Sequence, residues 1–155
     1  MRHYLRFSVL ILTSLLLFSC QPETIHESSY DFKNSSWNSF EKARFTFTLD
    51  QSGGQYDLYL NIIYTSDYPA EYITFASQMK TPGGEERLRN FHERLRTKDE
   101  IYKAYKNTGV FEKKILLGKD YSFQEKGTYK LILENRMSKM QTPGIKRIEL
   151  EVIKH

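Results

Sequence analysis

The chain has 155 residues and a mass of 18.4 kDa, with 39% hydrophobic residues, 27% charged residues and one cysteine. That length suits one domain with its own core plus a leader, and a single Cys excludes an internal disulfide or a multi-cysteine metal site. Arg2 and Arg6 supply half of the formal +4 charge, so the rest of the chain lacks the basic excess that neutralises phosphates, and no nucleic-acid partner is expected.

Residues 1–19 read as a signal peptide. Arg2 and Arg6 form a positive start, and Phe7 to Phe18 is an uncharged, predominantly apolar run of 12 residues. Spanning the hydrocarbon of a bilayer takes about 20 residues, whereas this run has the length of an export-signal core. The run closes on Leu17-Phe18-Ser19-Cys20, the order of a bacterial lipobox: apolar, variable, small, Cys. Cys20 is then the lipidation site, its sulfur taking diacylglycerol and its freed amino group a further acyl chain. One chain anchors marginally and several anchor firmly. The competing reading is an ordinary signal peptide with a chance or buried thiol; the only Cys falling where cleavage belongs favours lipidation. Gln21, in place of the Asp that retains enterobacterial lipoproteins in the inner membrane, favours the outer membrane.

Residues 20–39 are expected to be the lipidated N-terminus and a polar tether, rich in Ser28, Ser29, Asn34, Ser35 and Ser36. Tyr30, Phe32 and Trp37 are too apolar for a pure linker, so its later part should pack on the domain, assigned to 40–155. From there the hydropathy alternates. Ala43, Phe45, Phe47 and Leu49 mark one strand, and Tyr56, Leu58, Leu60, Ile62 and Tyr64 the next. Gly53-Gly54 between them predicts a hairpin. Tyr72 to Lys80 is a third strand, ended by Thr81-Pro82-Gly83-Gly84. Residues 85–106 carry Leu88, Phe91, Leu95, Tyr102 and Tyr105 at helical spacing with no Gly or Pro, so the pattern alone allows one amphipathic helix there. Strands follow at 110–117, 129–134 and 145–153. Short strands with Gly/Pro turns and no βαβ rhythm predict an all-β, antiparallel, Greek-key sandwich of immunoglobulin-like type.

Few residues offer chemistry. Of the four His, only His92 lies well inside the expected domain, and no second ligand stands at metal spacing. There is no nucleophile elbow and no phosphate-binding Gly loop. No catalytic residue, metal, cofactor or small-molecule substrate is expected, and the chain reads as a non-enzyme. Arg87, Arg89, Arg94 and Arg96, with Lys98, form a basic cluster that reads either as contact with an anionic envelope surface or as a solvated face balanced by Glu85, Glu86, Glu93 and Asp99. Gly127-Thr128-Tyr129 resembles a tyrosine corner, in which the phenol bonds back to upstream backbone. That role is structural.

The run Tyr121-Ser122-Phe123-Gln124-Glu125-Lys126-Gly127-Thr128-Tyr129, then Asn135-Arg136-Met137 and Pro143-Gly144-Ile145, resembles the GldH-type gliding-motility lipoproteins of the Bacteroidota. Trp37 ahead of Phe45-Thr46-Phe47, and Tyr56-x-Leu58-x-Leu60 followed by Tyr68, fit the same pattern. Gln124 stands where that family has Pro, and Tyr102 where it has Trp. The resemblance implies a structural role for Trp37, strands rather than a helix at 85–106, and an envelope lipoprotein acting with other motility or secretion proteins. The alternative is a surface lipoprotein that binds glycan or another small ligand on exposed aromatics.

Overall fold

The computed structural model describes residues 22–97 and 109–155. Among them are ten strands: β1 (Glu23–Asp31), β2 (Ser36–Asn38), β3 (Lys42–Leu49), β4 (Gln55–Thr65), β5 (Tyr72–Lys80), β6 (Glu86–Arg94), β7 (Val110–Ser122), β8 (Gly127–Asn135), β9 (Gln141–Pro143) and β10 (Ile145–Lys154). Where apolar and polar residues alternate, one face of the pleat is buried and the other solvated. β3 shows it without a break: Ala43, Phe45, Phe47 and Leu49 are buried, and Arg44, Thr46 and Thr48 are exposed.

Two four-stranded antiparallel sheets result, ordered β1-β10-β4-β7 and β3-β8-β5-β6, with β2 and β9 pairing separately. Phe45, Phe47, Phe75, Tyr129 and Leu131 of the second sheet face Leu58, Leu60, Ile62, Leu150 and Val152 of the first, all buried. Burying a side chain of this size contributes about 1.5–3 kcal/mol, so the sandwich interior supplies the main stabilisation.

The all-β antiparallel sandwich stands as expected. Its strand order is that of an eight-stranded jelly roll, two Greek keys wrapped together, and not the ABED/CFG order of an immunoglobulin domain. Three local expectations change with it. The turn at Gly53-Gly54 is not a hairpin: β3 pairs with β8, while β4 pairs with β10 and β7. The turn crosses between sheets, tied by the Gly53 N–H to the Phe123 carbonyl at 2.8 Å. The helical spacing over 85–94 is overridden, because Glu86–Arg94 pairs residue for residue with β5, from Tyr72↔Arg94 to Lys80↔Glu86. Residues 98–106 lie outside the described residues. The polar tether also largely disappears. Residues 23–31 form edge strand β1 on β10, in register from Glu23↔Lys154 to Asp31↔Arg147, so the domain begins near residue 23 rather than 40. An edge strand over the sandwich rim tolerates Ser and His on its inner side, which is why its sequence reads as a linker.

Candidate functional site

The sandwich has two ends of different character. Antiparallel pairing brings the start of β1 beside the end of β10, and the His155 N–H bonds the Gln55 carbonyl at 3.0 Å. The turns after β3 and β5 and the loop after β7 lie at this same end, joined where the Gly83 N–H donates to Glu125 Oε2 at 2.6 Å. Here the Tyr129 hydroxyl donates to the Glu125 carbonyl four residues upstream, at 2.7 Å, which is the bond of a tyrosine corner. Its ring packs on Phe123 and Phe47, at 4.6 and 5.4 Å between centroids. Gly127 has φ +126° and stands against Pro82. Asp57 is buried beside this end and accepts from the Asp120 N–H at 2.8 Å, the Tyr59 hydroxyl at 3.2 Å and His155 Nε2 at 3.2 Å. Burial pushes its carboxyl up, but the donors from Asp120, His155 and Tyr59 outweigh that and hold it below the usual carboxylate range. Asp57, Asp120 and His155 are close enough together to face a cation. The donors already on Asp57 make the trio read as a structural network.

The opposite end is organised by the other motif residues. Trp37 is fully buried, its ring N–H donating to the Glu41 carbonyl at 2.9 Å and its face stacked on Phe32. Asn135 Nδ2 donates to the Trp37 carbonyl at 2.8 Å and to Thr142 Oγ1 at 2.9 Å, and its Oδ1 accepts the Met137 N–H. One side chain thereby joins β2, β8 and β9, and all its polar atoms are used. Gly144, at φ +83°, lies against the backbone of Tyr68, whose hydroxyl donates to the Tyr72 carbonyl at 2.7 Å. Three large apolar side chains stand in the open at this end: Phe40 is 78% exposed, Met140 63% and Val110, opposite Thr65 at the start of β7, 61%. The Ser39 N–H bonds the Met140 carbonyl at 2.8 Å, which brings the segments of Phe40 and Met140 together.

The four arginines singled out by sequence do not form one patch. Arg87 is paired with Glu85 and donates to the Tyr121 hydroxyl at 2.6 Å. Arg89 donates to the Leu117 carbonyl at 2.6 Å, closing the rim between β6 and β7. Arg94 lies over Tyr72, on the outer face of its sheet. Arg96 is only 4% exposed, set over the rings of Tyr64 and Tyr68. Lys98 and Cys20 fall outside the described residues, as do residues 1–19, expected to be a signal peptide, and Tyr102.

A cleft of about 450 Å³ opens on the outer face of the first sheet, lined by Glu27, Ser28, Asn61, Glu112, Lys114 and Glu149, among others. Sequence reasoning missed it, because its residues come from four strands far apart in the chain. Apart from Leu150 its lining residues are polar or charged, and none is aromatic. On the inner side of edge strand β1, His26 Nε2 and Ser28 Oγ are 2.8 Å apart, with the His26 ring 6.0 Å from that of Phe47 between centroids. Burial lowers the His26 imidazole below its ordinary value.

A jelly-roll sandwich whose motif residues pin loops and ends, and whose first strand begins at Glu23, three residues after the Cys read from sequence as part of a lipobox, fits the build expected of an envelope lipoprotein domain. The family described as GldH lipoprotein matches residues 24–152, and the chain belongs to that family. It is 23% identical, over 142 residues, to the gliding motility lipoprotein GldH of Flavobacterium johnsoniae, an alignment covering 91% of this chain and 87% of that one. Distant fold overlaps include the serine protease of Aeromonas sobria, at 9% identity and a TM-score of 0.44. It is matched over 94% of this chain, which spans 29% of the protease. The Yersinia pseudotuberculosis-derived mitogen overlaps at 7% identity and a TM-score of 0.37, over 84% of this chain and 86% of that one. Membership of a lipoprotein family supports a lipid-anchored location in the cell envelope.

Proposed function

We propose that this protein is a non-enzymatic, lipid-anchored subunit of a gliding-motility or related envelope and secretion complex, acting by protein–protein contact. Cys20 carries the lipid, and the outer membrane is favoured over the inner by Gln21. The observation that carries the reading is the family match over residues 24–152. The geometry supports it in one respect. The residues the family pattern shares with this chain, among them Trp37, Gly127, Tyr129, Asn135 and Gly144, hold the framework together, and none of them lines the cleft. Phe40 and Met140 supply exposed apolar surface for a partner. Glycan binding draws no comparable support, since Phe45, Phe47, Phe75, Tyr56, Tyr68 and Tyr129 are buried in the core.

Crosslinking in intact cells tests this reading, followed by purification of tagged full-length protein and mass spectrometry, with Cys20→Ser as control. Recovery of other motility or secretion subunits, lost in the control, is expected. Recovery of the protein alone, or together with glycan transporters, overturns the proposal.

A further inference from the structure

We infer that the domain stands end-on against the lipid. The end bearing the β3–β4 turn, the β5–β6 turn and the β7–β8 loop faces the headgroups, and the Phe40–Met140 end faces away. This rests on lipid attachment at Cys20 as proposed above. The first observation is the length of chain between anchor and domain. β1 begins at Glu23, three residues after Cys20, and an extended chain reaches at most about 3.6 Å per residue. The start of β1 therefore lies within about 11 Å of the lipidated residue. A flexible tether of about 20 residues would average about 25 Å and leave the orientation free.

The slack is not recovered inside the domain. Glu23 already pairs with Lys154, and the pairing runs on to Asp31↔Arg147. Around Glu23 the end is tied into one unit: Lys154 Nζ donates to Gln51 Oε1 at 2.9 Å, and the Gly53 N–H to the Phe123 carbonyl at 2.8 Å. β1 has nine residues, about 30 Å at the rise of a strand, which carries the opposite end well clear of the surface.

What faces the lipid is not itself a membrane-binding surface. Glu23, Asp50, Asp120 and Glu125 stand there with Lys119, Lys126 and Lys154, a mixed set without the basic excess that attracts anionic headgroups. Among the described residues the exposed large hydrophobics are Phe40, Leu88, Val110, Leu116 and Met140, and none lies in these loops. The anchor alone sets the orientation, and it turns the exposed apolar side chains of the far end toward whatever meets the protein from beyond the membrane.

The test uses full-length acylated protein in vesicles of phosphatidylethanolamine and phosphatidylglycerol. A single added thiol, from Ser52→Cys or Asp67→Cys, carries a fluorophore, and nitroxide-headgroup lipid is the quencher. Both positions are exposed, Ser52 beside the anchor and Asp67 at the far end. Quenching at position 52 should exceed that at 67 several-fold. Inserting a 20-residue Gly/Ser segment between Pro22 and Glu23, about the tether length considered above, should erase the difference. Equal quenching on acylated protein of native length overturns the orientation alone. An N-terminal peptide whose mass shows no acyl chain overturns the anchor and the orientation together.

Discussion

At the scale of single residues, two glycines with similar backbone angles should behave differently. Gly144 has φ +83° and Gly84 φ +91°, so a side chain at either is strained by about 1–2 kcal/mol. A Cβ at Gly84 meets nothing within 4 Å, whereas at Gly144 it would sit 2.3 Å from the Tyr68 backbone nitrogen. Relieving that contact requires moving backbone that holds a fully buried Tyr and the Thr65–Gly144 hydrogen bond. Gly144→Ala should therefore cost more than about 3 kcal/mol, and Gly84→Ala about 1–2 kcal/mol, in urea denaturation. Equal costs would show that the approach to Tyr68 does not matter. Asp57 gives a pH signature. Its folded pKa is lowered, so its contribution is present above the unfolded carboxylate value of about 3.9 and is lost as pH falls through the folded value. The stability advantage of the native chain over Asp57→Asn should shrink below about pH 4. An advantage that is flat from pH 7 to pH 3 would exclude the network as its source.

At the scale of elements, six strands were legible because a half-buried strand writes a period of two into its sequence. β3, with four apolar residues inward and three polar residues outward, is the clearest case. β1 was not legible, since its inward residues include His26 and Ser28 and it borders only β10. β2 and β9, at three residues each, are too short to show a period. β6 carried a helical spacing because an edge strand presents solvent on most sides, so Leu88 is 73% exposed while Phe91 is buried. Of the candidate site residues, the tyrosine corner could be read from local spacing. The joint made by Asn135 could not, because Trp37 lies 98 residues away. The β6 assignment has its own test. Asn90 is exposed opposite Ala76, and Asn is disfavoured in strands whereas Thr is favoured, on a scale spanning about 1 kcal/mol. In a helix the two are nearly equal. Asn90→Thr should raise the thermal midpoint; an unchanged or lowered midpoint would speak for the helical reading.

At the scale of the whole molecule, the domain boundary decides whether the fold stands without its N-terminal strand. A polar segment before the first clear strand invites a cut at residue 40. The structure puts Phe32 and the fully buried Trp37 before that cut, stacked at 5.0 Å within the core, and β1 before it as well, covering one edge of β10. Trp37 also accepts the hydrogen bond from Asn135, so its loss leaves a buried amide short of a partner. Removing large aromatics from a core costs about 3–5 kcal/mol each, against a total stability of about 5–15 kcal/mol for a domain. The two rings alone consume most of that margin, before β10 is exposed as a new edge open to non-native pairing. A chain of residues 22–155 should fold and melt cooperatively without any lipid, because the core described here lies within it. A chain of residues 40–155 should be aggregated or lack a cooperative transition by circular dichroism. If the shorter chain melts within a few degrees of the longer one, β1 and Trp37 are accessories, and the anchor joins a mobile tether rather than the sandwich itself.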